Sequence, residues 1–235
     1  MKFFRKNDFN PDVFHPYYFI RKCLREKIQS KAPLLKGRLL DFGCGAKPYQ
    51  SFFTVDEYIG VDFENEGHSH DYEDIDVFYD GKTIPFPDQH FDSILTTEVF
   101  EHVFNLPELL TELNRVLKPG GMMLVTCPFV WNEHEVPNDY ARYSRFAMED
   151  LLTKNGFTVQ AIEKSGNFIV TLFQLYCLYF FQTFYFRLNK FFLLRWFMDL
   201  FFIALPNITG LVLNKILPKN DSLYLNNVIL AYRNR

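Results

Sequence analysis

The sequence predicts an α/β protein with an open, mostly parallel sheet and helices on both faces. Three observations carry that reading: short apolar runs that end in an acid, a tight glycine turn directly after the first of them, and a Leu117-Lys118-Pro119-Gly120-Gly121 turn separating a helical pattern from an extended one. In such sheets ligands bind at the carboxyl ends of the strands, where glycines let the backbone approach a cofactor closely.

Taken in order, Met1-Lys2-Phe3-Phe4-Arg5-Lys6 is basic and aromatic, and no apolar stretch of signal-peptide length follows it, so the amino terminus is expected to stay on. Tyr17 to Lys31 predicts a helix, with Ile20, Leu24 and Ile28 at four-residue spacing and a stop before Pro33. This helix is expected near the cofactor mouth, with Tyr17 or Tyr18 either packing, the favoured reading, or touching substrate. Leu39-Leu40-Asp41-Phe42-Gly43-Cys44-Gly45-Ala46 is the first strand and its turn, and it implies a nucleotide-like cofactor. A dinucleotide fingerprint would need a third glycine where Pro48 stands, which disfavours a dinucleotide oxidoreductase. Seventeen residues after Gly45, Tyr58-Ile59-Gly60-Val61-Asp62 ends in a carboxylate placed to accept from a ribose diol. Val77-Phe78-Tyr79-Asp80-Gly81 precedes Ile84-Pro85-Phe86-Pro87-Asp88, and Phe91 to Leu95 resumes an extended pattern. Each motif has a plain reading as well. Gly-x-Gly occurs in ligand-free connections, and acids at 62, 80 and 98 suit solvated turns or caps; it is their order along the chain that points to a site.

With these motifs in place, residues 35 to 165 resemble the class I SAM-dependent methyltransferases, above all the small-molecule type 11 group. The resemblance rests on the acid-x-Gly-x-Gly turn, the acid after the second strand, the Asp before Ile84-Pro85-Phe86, and Leu117-Lys118-Pro119-Gly120-Gly121 leading into Met122-Met123-Leu124-Val125-Thr126. It implies a Rossmann-like, seven-stranded, mostly parallel sheet with an antiparallel last strand, and S-adenosyl-L-methionine as cofactor. It assigns Asp41, Gly43 and Gly45 to the methionine-side turn, Asp62 to the ribose hydroxyls, Asp80 and Gly81 to the adenine edge, and Glu98 to the methionyl end. Cys44, Phe63 and Thr97 complete the expected cofactor-binding set.

At 235 residues the chain suits one catalytic domain: a helical segment over 1–34 and the SAM-binding domain over 35–235. A net charge of −3 argues against nucleic acid as a partner. Cys23, Cys44, Cys127 and Cys177 are scattered, so they read as small apolar fillers in a reduced, cytoplasmic setting. His68-Ser69-His70-Asp71 lacks a further ligand at a diagnostic spacing and reads as a polar loop, and no metal is expected.

After Asn167 the composition changes. Phe168 to Phe186 runs nineteen residues without a charge, Phe191 to Leu205 has only Arg195 and Asp199, and eleven of the 28 phenylalanines fall between 168 and 205. Phe157 to Ile162 and Asn227 to Tyr232 read as the sixth and seventh strands, so 168–217 is an insertion between them, far longer than a hairpin loop. Thr171, Gln174, Gln182 and Thr183, together with Tyr176, Tyr179 and Tyr185, make the first segment more polar than a typical span, with Arg187, Lys190 and Arg195 in reach of anionic lipid. The expectation is a helical hairpin in peripheral contact with the inner face of a membrane. A lid or homodimer interface, and a two-pass anchor made costly by Asp199, are the other readings.

The segment Cys127 to Ser144 is expected to face the methyl group, and its His-Glu-x-Pro-x-Asp-Tyr-x-Arg-Tyr pattern resembles a stretch of many type 11 enzymes. Methyl transfer from a sulfonium needs a positioned nucleophile and, for a hydroxyl, a base. His134 is the base candidate, with Glu133 or Glu135 to orient it. The alternative is that His134 braces the loop while Asp139 and Arg142 pair to fix it. Arg142 and Tyr143 are also candidates to grip a phosphate or carboxylate of the acceptor. His102 reads as packing beside Val99, Val103 and Leu106. The chain is therefore expected to methylate a small or lipid-linked acceptor, such as a glycan, a polyisoprenoid-linked sugar or a quinone-like compound. A non-catalytic SAM-fold docking or assembly module is the alternative.

Overall fold

The computed structural model describes residues 9–63, 74–185, 187 and 192–235. Met1 to Lys6, the His68-Ser69-His70-Asp71 run and Lys190 lie outside the described residues. The chain forms two compact units, one from residues 27–163 and 227–235, the other from residues 1–26 and 164–226.

The larger unit is built on a seven-stranded sheet of order β3-β2-β1-β4-β5-β7-β6. The strands are β1 (Arg38–Phe42), β2 (Glu57–Phe63), β3 (Val77–Tyr79), β4 (Phe91–Thr97), β5 (Leu117–Pro128), β6 (Phe157–Ser165) and β7 (Asn226–Arg233). The first five run parallel, with Asp41 level with Gly60 on β2 and Leu95 on β4. The last two are antiparallel: the Asn234 amide donates to the Gly156 carbonyl at 3.0 Å, and at the other end the Leu225 amide donates to the Ser165 carbonyl at 2.9 Å. Buried on both faces, the central strands read as continuous apolar runs; Leu39, Leu40, Ile94, Met123 and Leu124 are all inaccessible.

Helix α1 (Tyr18–Lys31) starts one residue after the predicted position. In α2 (Leu106–Val116), Leu106, Leu109, Leu110, Leu113 and Val116 form one buried stripe, the i, i+3, i+4, i+7 spacing that seats a helix on a sheet. Pro107 lies in its first turn, where no amide partner is lost. Helix α3 (Arg145–Lys154) is capped by Ser144, whose hydroxyl accepts from the Ala147 amide. The Lys-Pro-Gly-Gly segment does more than punctuate. Leu117 already pairs with Phe91 and Met122 with Ser93, so the segment bulges out of β5 between two paired positions, with Gly120 at φ +78°.

The smaller unit holds α4 (Phe168–Phe184), α5 (Phe192–Met198) and α6 (Leu205–Ile216), with a π-helical turn over Asp199–Ala204 that makes Phe192 to Ile216 one helical run. Two of its helical amides, Gln174 and Asn207, point inward. Gln174 is inaccessible; its Oε1 accepts from the Ile20 amide at 3.0 Å and its Nε2 donates to the Pro16 carbonyl at 2.8 Å. Asn207 on α6 donates to the carbonyls of Val13 and His15. Of the polar residues of α4 that the sequence offers to a lipid headgroup, Tyr176, Tyr179 and Gln182 are exposed, whereas Thr171 and Gln174 are buried, the latter tying down the amino-terminal segment. Tyr17 packs edge-on against Phe181, at 5.6 Å between ring centroids. Gly210 leaves no room for a side chain: a Cβ there would lie 2.8 Å from Phe19 and 2.9 Å from Phe173.

Candidate active site

The expected cofactor residues meet at the carboxyl ends of β1, β2, β3 and β4. Asp41 is buried one residue before the turn, where the Tyr58 hydroxyl donates to it at 2.6 Å. Burial pushes its carboxyl up to about 7, against the opposing effect of that hydrogen bond. Gly43 (φ +73°) and Gly45 (φ +47°) make the turn, and the amides of Gly43 and Cys44 both donate to the Val61 carbonyl, at 2.8 and 3.2 Å, fixing it to β2. A Cβ on Gly43 would strike Val99 at 2.2 Å, whereas one on Gly45 would meet nothing within 4 Å among the described residues.

Beside that open space stands Asp62. One of its oxygens accepts from the Gly45 amide and the other from the Phe63 amide, each at 2.7 Å. The Phe63 ring is half exposed and lies 2.9 Å from where a Cβ of Gly81 (φ +83°) would sit, so β2 and β3 join at an aromatic edge. Asp80 is exposed and caps its own turn, accepting from the Thr83 and Lys82 amides at 2.9 Å, which hold its carboxyl below the ordinary value. Lys47 went unnoticed in the sequence. It is buried at φ +48°, and its ammonium reaches Asp76 at 2.7 Å, while Asp76 accepts from the Gly60 amide. The pair pins the glycine turn to β2 from below; a lysine two residues past Gly45 was the only local signal.

At the end of β4, Thr97 leads into Glu98, which adopts φ +57°, a conformation side chains rarely take and that recurs at functional sites. The Glu98 amide donates to the Thr126 carbonyl and its Oε1 accepts from the Thr126 hydroxyl at 2.7 Å, so the strained residue is held across to β5.

The loop after β5 returns to the same rim. Its Arg142 guanidinium grips Asp139 with both amino groups, at 2.6 and 2.7 Å, and donates to the carbonyls of Asn132 and Ala141. It holds the Asp139 carboxyl well below the usual carboxylate range. Asp139 in turn accepts from the His134 amide at 2.9 Å and lies 3.4 Å from His134 Nδ1. The carboxylate that orients His134 is thus Asp139, while Glu135 lies 3.7 Å from His102 instead. Burial, then the neighbouring His102, lowers the His134 pKa. Tyr143 is half-buried against the core of the larger unit, and its carbonyl accepts from the Asn227 side chain. His102 occupies a short 3₁₀ turn (Phe100–His102) and its Nε2 faces that of His134 at 3.1 Å, next to a fully buried Glu101. The apolar residues adjoining it in sequence suggest helix packing, whereas the contact that defines it joins positions far apart in the chain.

A sheet of this order, with a glycine turn after β1 and a carboxylate after β2, is that of the class I SAM-dependent methyltransferases. A family model described as "Methyltransferase domain" matches residues 17–162, and the chain belongs to that family. It is 33% identical over 99 residues to a fatty-acid O-methyltransferase of Mycolicibacterium smegmatis, covering 38% of this chain and 36% of the relative. It is 40% identical over 68 residues to a demethylmenaquinone methyltransferase of Tropheryma whipplei, covering 29% and 28%. The chain thus spans about a third of the length of these curated relatives. In fold it matches a phosphoethanolamine N-methyltransferase of Haemonchus contortus solved with S-adenosyl-L-methionine, with a TM-score of 0.54, 18% identity, and 99% of this chain and 59% of that one covered. The cofactor fits the residues present: open space at Gly45, an accepting carboxylate at Asp62, and an exposed ring at Phe63.

Proposed function

We propose that this chain transfers a methyl group from S-adenosyl-L-methionine to an apolar or lipid-linked small acceptor, and that its smaller unit meets the lipid surface where such acceptors reside. The cofactor supplies an electrophilic methyl on a sulfonium. Asp62, Phe63 and the Gly43–Gly45 turn would hold it, with Asp80 and Gly81 at its adenine edge and Thr97 and Glu98 at its methionyl end. The loop braced by Asp139 and Arg142 carries His134 to the rim, where it can take a proton from an acceptor hydroxyl.

One observation carries the lipid-facing part of this reading: the smaller unit buries amides within its apolar core and leaves a broad apolar face outside. Gln174 and Asn207 are inaccessible, whereas Phe192 and Leu193 are 79% exposed and Trp196, Val212 and Ile216 more than half. The helical run Phe192–Ile216 is 25 residues long, and its most apolar window, of mean hydropathy 1.7, is only 33% buried. A soluble surface seldom shows so continuous an apolar face, and each such side chain contributes about 1.5–3 kcal/mol on transfer out of water. The chemistry of the relatives, one named for a fatty acid and one for a quinone, supports the same class of acceptor. The test is flotation of the full chain with vesicles of phosphatidylcholine and phosphatidylglycerol, next to a Leu193→Glu, Trp196→Glu variant. The wild type should float and the variant should not, with equal cofactor affinity in both. A wild type that stays at the bottom of the gradient refutes membrane contact.

A further inference from the structure

The three groups at the rim, Glu101, His102 and His134, are arranged as ligands. Their ligating atoms all lie within 4.8 Å of one another. His102 Nδ1 is 2.7 Å from the Asn138 carbonyl, which can only accept, so Nδ1 carries the ring proton and Nε2 carries a lone pair. His134 Nδ1 lies 3.3 Å from the Asn132 carbonyl, 3.4 Å from the Asp139 carboxylate and 3.4 Å from the Arg142 guanidinium, two acceptors and one donor, so its surroundings suit a lone pair on either ring nitrogen. The two Nε2 atoms face each other across 3.1 Å, the separation of a hydrogen bond when His134 Nε2 carries its proton and close to that of two ligands on one ion when it does not. Glu101 Oε1 is 3.9 Å from each of them. Its side chain is inaccessible, and among the described residues neither carboxylate oxygen has a hydrogen-bond partner. A buried carboxylate with no hydrogen-bond donor among the described residues, 3.9 Å from two imidazole nitrogens that themselves converge, is a costly arrangement that one cation in the middle resolves.

We propose that Glu101, His102 and His134 bind a single divalent cation of the zinc and cobalt class. Two imidazoles and one carboxylate are the donor set that such borderline ions favour. Metal–nitrogen bonds of about 2.05 Å at a tetrahedral angle place the two nitrogens about 3.3 Å apart, close to the separation seen. Asn138 and Asp139 are the outer partners that orient ligating histidines. The imidazoles are partly exposed, 14% for His102 and 27% for His134, and the exposed Glu135 carboxylate lies 3.7 Å from His102, so the ion keeps an open side. Resting on the reading of this rim as the place of methyl transfer, the ion would occupy the His134 nitrogen in place of its role as base, bind an acceptor hydroxyl and lower its pKa. The proton leaves to water, the oxygen takes the methyl, and the sulfonium becomes a thioether.

The test needs no acceptor. The full chain, freed of metal with a chelator, is titrated with Co²⁺ and followed by its visible d–d absorption, then with Zn²⁺ in competition, while cofactor affinity is measured by calorimetry. One equivalent of Co²⁺ should bind with tetrahedral-type bands that Zn²⁺ removes. His134→Ala and His102→Ala should each weaken binding at least about tenfold with cofactor affinity retained. Glu101→Gln, which keeps the buried volume, should do the same. Absence of saturable binding in a wild type that binds cofactor, binding of Mg²⁺ alone, or affinity unchanged in the histidine variants each overturns the proposal. Vesicle flotation plays no part in these measurements, so the membrane reading and the metal reading fail separately.

Discussion

The Gly45 amide donates to Asp62 Oδ2 at 2.7 Å, joining the turn after the first strand to the acid that ends the second. The residue read from sequence as a ribose acceptor is thereby also part of the turn. Two substitutions separate the roles. Asp62→Asn keeps an acceptor for Gly45 but removes the charge, and Asp62→Ala removes both. By calorimetry Asp62→Ala is expected to weaken cofactor binding by about 1–3 kcal/mol, with Asp62→Asn in between. Equal affinity in all three proteins would show that another carboxylate carries the ribose contact.

The two turn glycines should respond differently to a single methyl group. Gly43 stands at φ +73° with Val99 2.2 Å from an added Cβ, so Gly43→Ala combines backbone strain with a clash and is expected to cost about 2–4 kcal/mol of stability. Gly45→Ala meets open space and should cost only about 1 kcal/mol, yet it fills the place where the cofactor fits. Urea unfolding should therefore rank Gly43→Ala as the weaker fold, and calorimetry should show Gly45→Ala losing affinity out of proportion to its stability. The reverse order would move the cofactor away from Gly45.

What could be read from the chain in advance was whatever is local. The glycine turn, the strand ends at Asp41 and Asp62 and the helix from Tyr18 to Lys31 follow from short periodicities and turn chemistry. The rest depends on partners distant in sequence. Gln174 is polar inside an apolar helix because backbone groups at Pro16 and Ile20 satisfy it, more than 150 residues away. His102 and His134 come together only because the loop after β5 folds back over the end of β4. Glu133 and Glu135 flank His134 in sequence, but Asp139 reaches its ring because Arg142 holds the loop closed.

That closure is itself measurable. Asp139 is nearly buried, and both its oxygens are taken up by the Arg142 fork. Arg142→Ala leaves the carboxylate without its cation and is expected to lower stability by about 2–3 kcal/mol. Arg142→Lys should recover less than half of this, since a single ammonium cannot reproduce two parallel bonds and two carbonyl contacts. Chemical denaturation of the three proteins gives the comparison. A lysine variant as stable as the wild type would reduce the fork to a simple charge contact.

Asp41 sets a pH dependence of the opposite sense to most carboxylates. Its carboxyl is raised by burial from an unfolded value of 3.8 to about 7, so between those values the folded chain holds a proton that the unfolded chain has released. The group's contribution to stability is fully present below pH 4 and is lost as pH rises to 7, by at most about 4 kcal/mol. Asp41→Asn removes the titration while leaving an acceptor for the Tyr58 hydroxyl, which donates at 2.6 Å. Relative to wild type, the asparagine variant should gain stability steadily from pH 4 to pH 8, measured by urea unfolding at each pH. A difference that stays flat across that range would show Asp41 to be ionised throughout, compensated by Tyr58 and Lys47 in spite of its burial.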